Sequence, residues 1–194
     1  MHAHLVFAHP LPESLGASLA AAAEAALVTR GGTVDRLDLY AENFDPRLSP
    51  AERTDHYGTP NPPPDVAALQ QRLGRADVLV LVFPTWWYGF PAILKDWFDR
   101  VWAPGFAYDH GLPIKPRLTN LKACLVITTL GSPWWIDRLV LWNPVGRILR
   151  HAIIDACASK ARFEMLALHQ AETVPAERAE NFRRRIVAAI AKLR

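Results

Sequence analysis

Apolar residues fall in two patterns along the chain, short continuous runs and longer stretches with helical spacing. The short runs predict five strands, over residues 3–8, 33–39, 78–83, 122–129 and 161–169. Helical spacing predicts helices over residues 14–30, 65–76, 91–102, 145–159 and 175–194. The run Val78 to Val82 contains only Val and Leu, which is typical of a strand buried on both faces of a parallel sheet.

Regular alternation of strands and helices predicts an α/β protein in which helices cover both faces of a parallel sheet. With five strands, we expect a doubly wound three-layer sandwich with the flavodoxin-like strand order 2-1-3-4-5. The 194 residues contain no internal repeat or linker, so we expect one domain over residues 1–194. Two long polar segments, residues 40–64 and 104–120, are predicted to be loops.

Composition and charge argue against a nucleic-acid-binding protein and against a membrane protein. The net charge of +3 is small, and the densest basic cluster, Arg183 to Arg185, lies in a predicted amphipathic helix, so we expect no nucleic-acid partner. The Ala-rich run 17–28 is too short to span a bilayer, and the N-terminus does not read as a signal peptide, so no membrane insertion is expected. Cys124 and Cys157 form no CxxC pair and are predicted to be buried, reduced thiols of a cytoplasmic protein.

The most informative stretch is FPTWWYGFPAILKDWFDRVW, residues 83–102. Pro84 stops the central strand, and Pro91 stands where the next helix should begin. The turn between them, residues 85–89, holds three large aromatic side chains at the carboxyl end of a strand, where open α/β sheets bind ligands. We interpret this turn as a slot for a flat molecule. The alternative is an aromatic plug or a subunit contact.

Two further turns are expected at the same edge of the sheet. The first brings His9 and Ser14 to the start of a helix, which favours an anion such as phosphate; the alternative is a capped helix with an incidental histidine. The second, residues 128–132, offers hydroxyl groups and free amides for the polar edge of a heterocycle, although taken singly it is only a turn. Together the three turns predict a phosphorylated, flat ligand. The seven histidines form no zinc motif, so no metal is expected.

These residues resemble the NAD(P)H:quinone oxidoreductase family, the diaphorase-like branch of the flavodoxin superfamily. The resemblance covers most of the chain and is strongest at residues 83–102, 105–108 and 37–46. It implies an NAD(P)H dehydrogenase (quinone)-type enzyme with FAD, or alternatively FMN, and with NAD(P)H as reductant. Hydride would pass through flavin N5 to a quinone or similar acceptor in a two-electron ping-pong reaction. A homodimer is also implied.

The resemblance assigns roles to thirteen cofactor-binding positions and two positions in the substrate site. Trp87 would form a wall of the substrate pocket and Tyr108 would line it, as the two catalytic-site residues. The flavin would contact His9, Ser14, Leu15, Gly16 and Ser18 at its phosphates, Thr85, Trp86, Trp87 and Tyr88 at its ring, and Thr128, Thr129, Leu130 and Gly131 at its pyrimidine edge.

The chain also departs from the family pattern. The family often has Asn where this chain has Gly16, and Gly where it has Leu130. A tyrosine–histidine pair that follows the second turn in the family is not in register here. Ile136 stands where the tyrosine would be, beside Trp134 and Trp135.

Two other functions stay open from the sequence. Relatives in the superfamily serve as ancillary or regulatory flavoprotein subunits of potassium-efflux-type membrane systems. One-electron carriers of the flavodoxin type share the fold, but they are usually acidic. For the implied homodimer, the Trp-rich segment 134–142 and the helix carrying Trp97 and Trp102 are candidate contacts, and the alternative is that these tryptophans belong to the core.

Overall fold

The computed structural model describes residues 1–56, 58 and 61–193. Five parallel strands form one sheet: β1 (His2–Phe7), β2 (Thr33–Asp38), β3 (Val78–Pro84), β6 (Ala123–Leu130) and β7 (Arg162–His169). Each lies within one residue of its predicted bounds at either end. A separate antiparallel ribbon pairs β4 (Tyr108–Asp109) with β5 (Lys115–Pro116).

The order of the strands across the sheet is β2-β1-β3-β6-β7. The predicted order, 2-1-3-4-5, did not count the two ribbon strands, which stand between β3 and β6 in the chain. The order places β3 between β1 and β6, so the three strands that precede the candidate turns are neighbours. All seven residues of β3 are buried, as its continuous apolar run predicted.

The four longer helices are α1 (Leu15–Thr29), α3 (Pro64–Gly74), α4 (Ala92–Val101) and α7 (Ala176–Ala191). Each was predicted at its place in the sequence. At the start of α1 the Ser14 hydroxyl accepts a hydrogen bond from the Ala17 amide at 3.1 Å, which confirms the predicted N-cap. None of the helices in the described ranges is long and apolar enough to cross a membrane.

Three predicted segments differ from the structure. The predicted loop 40–64 contains α2 (Pro50–Asp55), and the predicted loop 104–120 contains the ribbon. The predicted helix 145–159 is divided into α5 (Pro144–Arg147), a wide π-helical turn (Ile148–Ile154) and α6 (Asp155–Cys157), and a second π-helical turn lies at Ile136–Val140. Positions 57, 59 and 60 of the first loop and position 194 of the last predicted helix lie outside the described residues.

Helix α2 was missed because none of its residues is buried, so it leaves no apolar periodicity. A capping box starts it: the Ser49 hydroxyl accepts from the Glu52 amide at 3.2 Å, and the Glu52 carboxylate accepts from the Ser49 amide at 2.8 Å. Glu52 also pairs with the buried Arg100 of α4 at 2.8 Å. This contact fixes α2 against the helix layer.

Two apolar cores lie on the two faces of the sheet. One packs α1 and α7 against the sheet, and the other packs α3 and α4 against the opposite face. Trp97 and Trp102 belong to the second core, with ring centroids 6.0 Å apart and at most 5% of either side chain exposed. The interpretation of α4 as a subunit contact through these two tryptophans is therefore wrong, because their rings are already covered within the chain.

Candidate functional site

The candidate turns meet at the carboxyl edge of the sheet. Parallel pairing places Phe7 beside Val82 and Pro84 beside Thr129, so β1, β3 and β6 end together. Beyond β3, the Thr85 amide donates to the Thr129 carbonyl at 2.8 Å. The hydroxyl groups of Thr85 and Thr128 are also 2.8 Å apart and hydrogen-bonded.

The aromatic turn has an unusual backbone. Trp86 and Gly89 exchange two backbone hydrogen bonds, of 2.8 and 3.2 Å, which close a tight turn around Trp87 and Tyr88. Both central residues have left-handed conformations, with φ of 49° and 55°. Such conformations cost on the order of 1–3 kcal/mol for residues other than glycine and cluster at functional sites. The turn holds the Trp87 side chain fully exposed.

A cleft of about 210 Å³ separates the aromatic turn from the turn after β6. Its lining residues are Thr85, Trp87, Tyr88, Leu130, Gly131 and Ser132. Trp86 does not line the cleft; its ring faces His9 instead, with the centroids 6.4 Å apart.

The turn between β1 and α1 is shaped around the start of the helix. His9 Nδ1 lies 3.0 Å from the Leu11 amide and accepts its hydrogen bond, so in the neutral ring the proton is on Nε2 and can be donated. A Cβ added to Gly16 would come within 3.6 Å of the Ser14 hydroxyl and 3.9 Å of the His9 ring, which is ordinary contact. An alanine would therefore fit at this position without displacing either side chain.

Ser18 is directed differently from the other residues of this turn. Its hydroxyl donates to the Leu15 carbonyl at 2.8 Å and accepts from Arg183 of α7 at 3.2 Å. Arg183 also pairs with Glu180 at 3.1 Å. Ser18 therefore lies near the first turn but is bonded to protein groups.

Tyr108 is the predicted site residue that stands apart. It lies in β4 of the ribbon, paired with Pro116, and its ring packs edge-on against His110 with the centroids 5.6 Å apart. Within the described residues it is not part of the cleft lining. Its place in a substrate site stays a prediction.

A buried polar pair at the end of β7 was not predicted from the sequence. His169, the last residue of β7, lies 3.0 Å from the Asp137 carboxylate, measured from Nε2 to Oδ2, and both residues are buried. The position of His169 at the carboxyl end of a strand was a usable signal. Asp137 offered none, because it lies in a π-helical turn that no periodicity predicts.

Glu172 was also missed. It follows β7 in a short 3₁₀ turn (Ala171–Thr173), and its carboxylate lies so close to Gly131 that a Cβ added there would be 2.9 Å from Oε1. The glycine allows this side chain to cover the turn after β6. Among the described residues, no cluster of three or more His, Cys, Asp or Glu side chains could hold a metal ion.

Beyond the cleft, the segment 131–143 exposes six large apolar residues, in two groups on either side of Asp137. Between 39% and 66% of each side chain is accessible for Trp134, Trp135, Leu139, Val140, Leu141 and Trp142. Trp134 and Trp135 are thus surface residues. Exposed apolar patches of this kind mark interaction surfaces.

Comparisons with known proteins agree with this geometry. A family model described as a flavodoxin-like fold matches residues 1–193. The chain is 32% identical to the ribosyldihydronicotinamide dehydrogenase (quinone) of Pongo abelii over 95% of this chain and 87% of that protein. It is 43% identical to the uncharacterized NAD(P)H oxidoreductase YcaK of Escherichia coli (strain K12), over 56% of each chain. Several of the curated relatives are matched over only about half of their length.

A solved structure gives the same result. The NAD(P)H:quinone oxidoreductase from Methanothermobacter marburgensis superposes with a TM-score of 0.84 and is 29% identical. The superposition covers 100% of this chain and 99% of that one. The similarity thus extends over the sheet, both helix layers and the turns that form the cleft. The chain belongs to the flavodoxin-like NAD(P)H:quinone oxidoreductase family.

Proposed function

We propose that this protein is a flavin-dependent NAD(P)H oxidoreductase that reduces a quinone or a similar flat acceptor. The observation that carries the proposal is the cleft between two turns at the carboxyl edge of the sheet. One wall presents the exposed indole of Trp87 on a left-handed backbone, and the other presents the turn of Leu130, Gly131 and Ser132. The names of the relatives support the same reaction.

The residues present fit a flavin. Ser132 Oγ is buried and has no hydrogen-bond partner among the described residues, so the polar edge of a heterocycle could satisfy it. The Nε2 proton of His9, beside the N-terminus of α1, suits a phosphate there. We therefore propose that His9, Ser14, Leu15 and Gly16 hold the phosphates, with Ser18 nearby. Thr85, Trp86, Trp87 and Tyr88 would hold the ring, and Thr128, Thr129, Leu130 and Gly131 its pyrimidine edge.

When bound, the flavin would supply the two-electron hydride chemistry that links NAD(P)H to the acceptor. The protein positions the reactants. Trp87 would stack on the flat substrate, because aromatic rings favour offset stacking, and Tyr108 would line the substrate site from the ribbon, outside the cleft between the two turns. Backbone amides of the turn after β6 would stabilise negative charge on the bound cofactor. Since one slot serves both substrates, NAD(P)H must leave before the quinone enters, which gives ping-pong kinetics.

We further propose that residues 1–194 form a single doubly wound domain, with the order 2-1-3-4-5 once the ribbon is left out. The exposed apolar segment 134–142 supports a homodimer in which it is the subunit contact beside each cleft. Cys124 and Cys157, both free and buried, support a cytoplasmic protein. FAD is proposed as the cofactor over FMN because the first turn resembles that of the FAD-binding branch.

Turnover with a soluble naphthoquinone tests the proposal directly. The purified protein is loaded with FAD or FMN, and NADH and NADPH oxidation is measured with and without the quinone. Trp87→Ala should lower kcat/KM at least tenfold, because stacking is lost, while Val28→Ala, a truncation of an exposed side chain on the outer face of α1, should not. Failure of the parent protein to bind either flavin would overturn the proposal.

Flavin retention and substrate binding are tested separately. His9→Ala should weaken flavin binding, and Tyr108→Ala should raise the KM for quinone without changing flavin content. Parent-like values in either variant would remove that residue from the site. Uptake of two separate single electrons during reductive titration, without NAD(P)H:quinone turnover, would instead favour a one-electron carrier.

A further inference from the structure

The segment 131–143 gains little from burying its apolar side chains. More than half of the side chain is exposed for Trp134 (57%), Leu139 (62%) and Trp142 (66%). The stabilisation that an apolar side chain gives is roughly proportional to the area that it removes from water. Because these residues bury less than half of their area, they contribute little of that stabilisation. Other contacts must therefore keep this wall of the cleft in place within one chain.

Buried polar contacts fix the segment to the end of β7. Asp137 is only 2% exposed, and its Oδ2 accepts a hydrogen bond from His169 Nε2 at 3.0 Å. Arg138 Nε lies 3.2 Å from the same oxygen. Farther along, the Asn143 amide donates to the Asp137 carbonyl at 2.7 Å. A buried carboxylate is tolerated only with such partners, so the position of Asp137 depends on His169.

The same strand end supports the cleft directly. His169 pairs with Leu130 in the β6–β7 register, and the amide of Gln170 donates to the Ser132 carbonyl at 3.2 Å. Leu130 and Ser132 both line the cleft. Contacts from β7 therefore hold both ends of the short turn that forms the second wall.

We propose that Asp137 and His169 are a positioning pair, which sets the place of segment 131–143 and thereby the geometry of the cleft. The pair acts through Leu130 and Ser132 and does not itself contact substrate. Its effect on cofactor binding and turnover rests on the proposed function. Its effect on the segment does not.

The first experiment uses the protein without added flavin. His169→Phe keeps an aromatic ring but removes the N–H donor. His169→Gln keeps an N–H donor at a similar distance from the backbone. Trypsin cleavage after Arg138 and hydrogen exchange of peptides covering residues 131–143 are followed by mass spectrometry. We expect both to become at least tenfold faster in His169→Phe, with exchange in β1 and β3 unchanged, and to return toward parent values in His169→Gln.

The chain supplies a matched control in a second histidine–aspartate pair. His151 Nδ1 and Asp155 Oδ2 are 3.1 Å apart, but both side chains are exposed, so His151→Phe should change neither measurement. Equal loosening in His151→Phe, or no loosening in His169→Phe, would overturn the proposal. Should His169→Phe fail to fold, Asp137→Asn applies, since it keeps the shape and weakens the hydrogen bond; unchanged exchange in that variant would equally overturn it.

The second experiment tests whether the Asp137–His169 pair affects cofactor binding and turnover at the cleft. The dissociation constant of FAD and the kcat and KM for NADPH and quinone are measured for each variant. His169→Phe should weaken FAD binding about tenfold and lower kcat with smaller changes in KM, and His169→Gln should restore both. A loosened segment with parent-like FAD binding and kcat would overturn the positioning role. Absence of flavin binding in the parent would instead overturn the proposed function and leave the first experiment valid.

Discussion

The two walls of the cleft are built in opposite ways. The aromatic turn, residues 85–89, is closed by hydrogen bonds between Trp86 and Gly89 and is carried between a fully buried strand and an amphipathic helix. The segment 131–143 takes its place from contacts with His169 and Gln170, which follow more than 25 residues later. Apart from the contacts of Thr85 with Thr128 and Thr129, the first wall is closed by its own hydrogen bonds, whereas the second depends on distant partners. We therefore expect mutations near the second wall to change the geometry of the cleft more than mutations near the first wall do.

The largest expected effect is that of Gly146→Ala, which crowds the Asn143 side chain at the end of the second wall. A Cβ at this position would clash with Asn143 Nδ2 and lie 2.8 Å from its Cγ, so the Asn143 side chain would have to move. Because Gly146 is buried, we expect that side chain to have little room to swing aside, and overpacking of this kind costs about 2 kcal/mol in the free energy of unfolding, measured by urea denaturation. Gly74→Ala is the control, because its Cβ would meet Phe106 at an ordinary 3.5 Å. Equal stability of the two variants would show that the Asn143 side chain swings aside without cost.

A smaller effect is expected away from both walls, at Asp35 in β2. A hydrogen bond from His4, together with Arg72, holds the pKa of this carboxyl well below its usual range. Since the pKa is lower in the folded state, the stabilisation is complete above about pH 4 and is lost as the pH falls toward the folded pKa. Asp35→Asn should therefore cost about 1.5 kcal/mol at pH 7 and less at pH 3.

The control for Asp35 is Asp99→Asn, which removes an exposed pair with Lys95 and should change stability little at either pH. A difference between parent and Asp35→Asn that grows as the pH falls would show that the carboxylate is not the stabilising form. We expect Asp35→Asn to leave NAD(P)H:quinone turnover at pH 7 unchanged, because Asp35 lies away from both walls. A change in turnover would show that this part of the sheet influences the cleft.

Thr85→Val tests how self-contained the first wall is. The variant leaves the buried hydroxyl of Thr128 without its 2.8 Å partner, which should cost about 1 kcal/mol of stability. Because Trp86 and Gly89 close the turn without Thr85, hydrogen exchange of segment 131–143 should stay unchanged. Thr33→Val, which removes an exposed hydroxyl contact to His2, should be nearly neutral. Loosening of the second wall in Thr85→Val would show that the walls are coupled.

The smallest expected effect is a difference in reaction rate between the two cysteine thiols, and it can be measured without a mutation. Burial raises the pKa of Cys157 to about 11 and that of Cys124 further, so both should react slowly with thiol reagents at pH 8. Cys157 ends α6, and Cys124 lies in the central sheet. We expect Cys157 to react first, at about a hundredth of the rate of an unfolded thiol. Equal rates for both would contradict the deeper burial of Cys124.

The sequence predicted the parts of the molecule that are determined locally. The apolar run of β3 and the two prolines that flank the aromatic turn predicted a strand, a turn and a helix, and all three are present. Ser14 predicted the start of α1. The edge at which the turns meet followed from the rule that ligands bind at the carboxyl ends of parallel strands.

What could not be predicted depends on pairs of residues far apart in the chain. The contact of Asp137 with His169 spans 32 residues, and no periodicity connects them. The approach of Glu172 to Gly131 is of the same kind. Helix α2 is different, since the Ser49 to Glu52 capping box was readable, but a helix with no buried face carries no apolar signal.

The left-handed backbone at Trp87 and Tyr88 sets protein stability against activity. Asparagine and glycine adopt this conformation with little strain, and together they form the preferred two-residue turn of this shape. The double variant Trp87→Asn and Tyr88→Gly should therefore unfold at a higher temperature than the parent while losing the wall on which a flat substrate would stack. A laboratory selection for heat resistance alone would be drawn to these two positions, whereas a selection that also requires turnover would retain the aromatic pair.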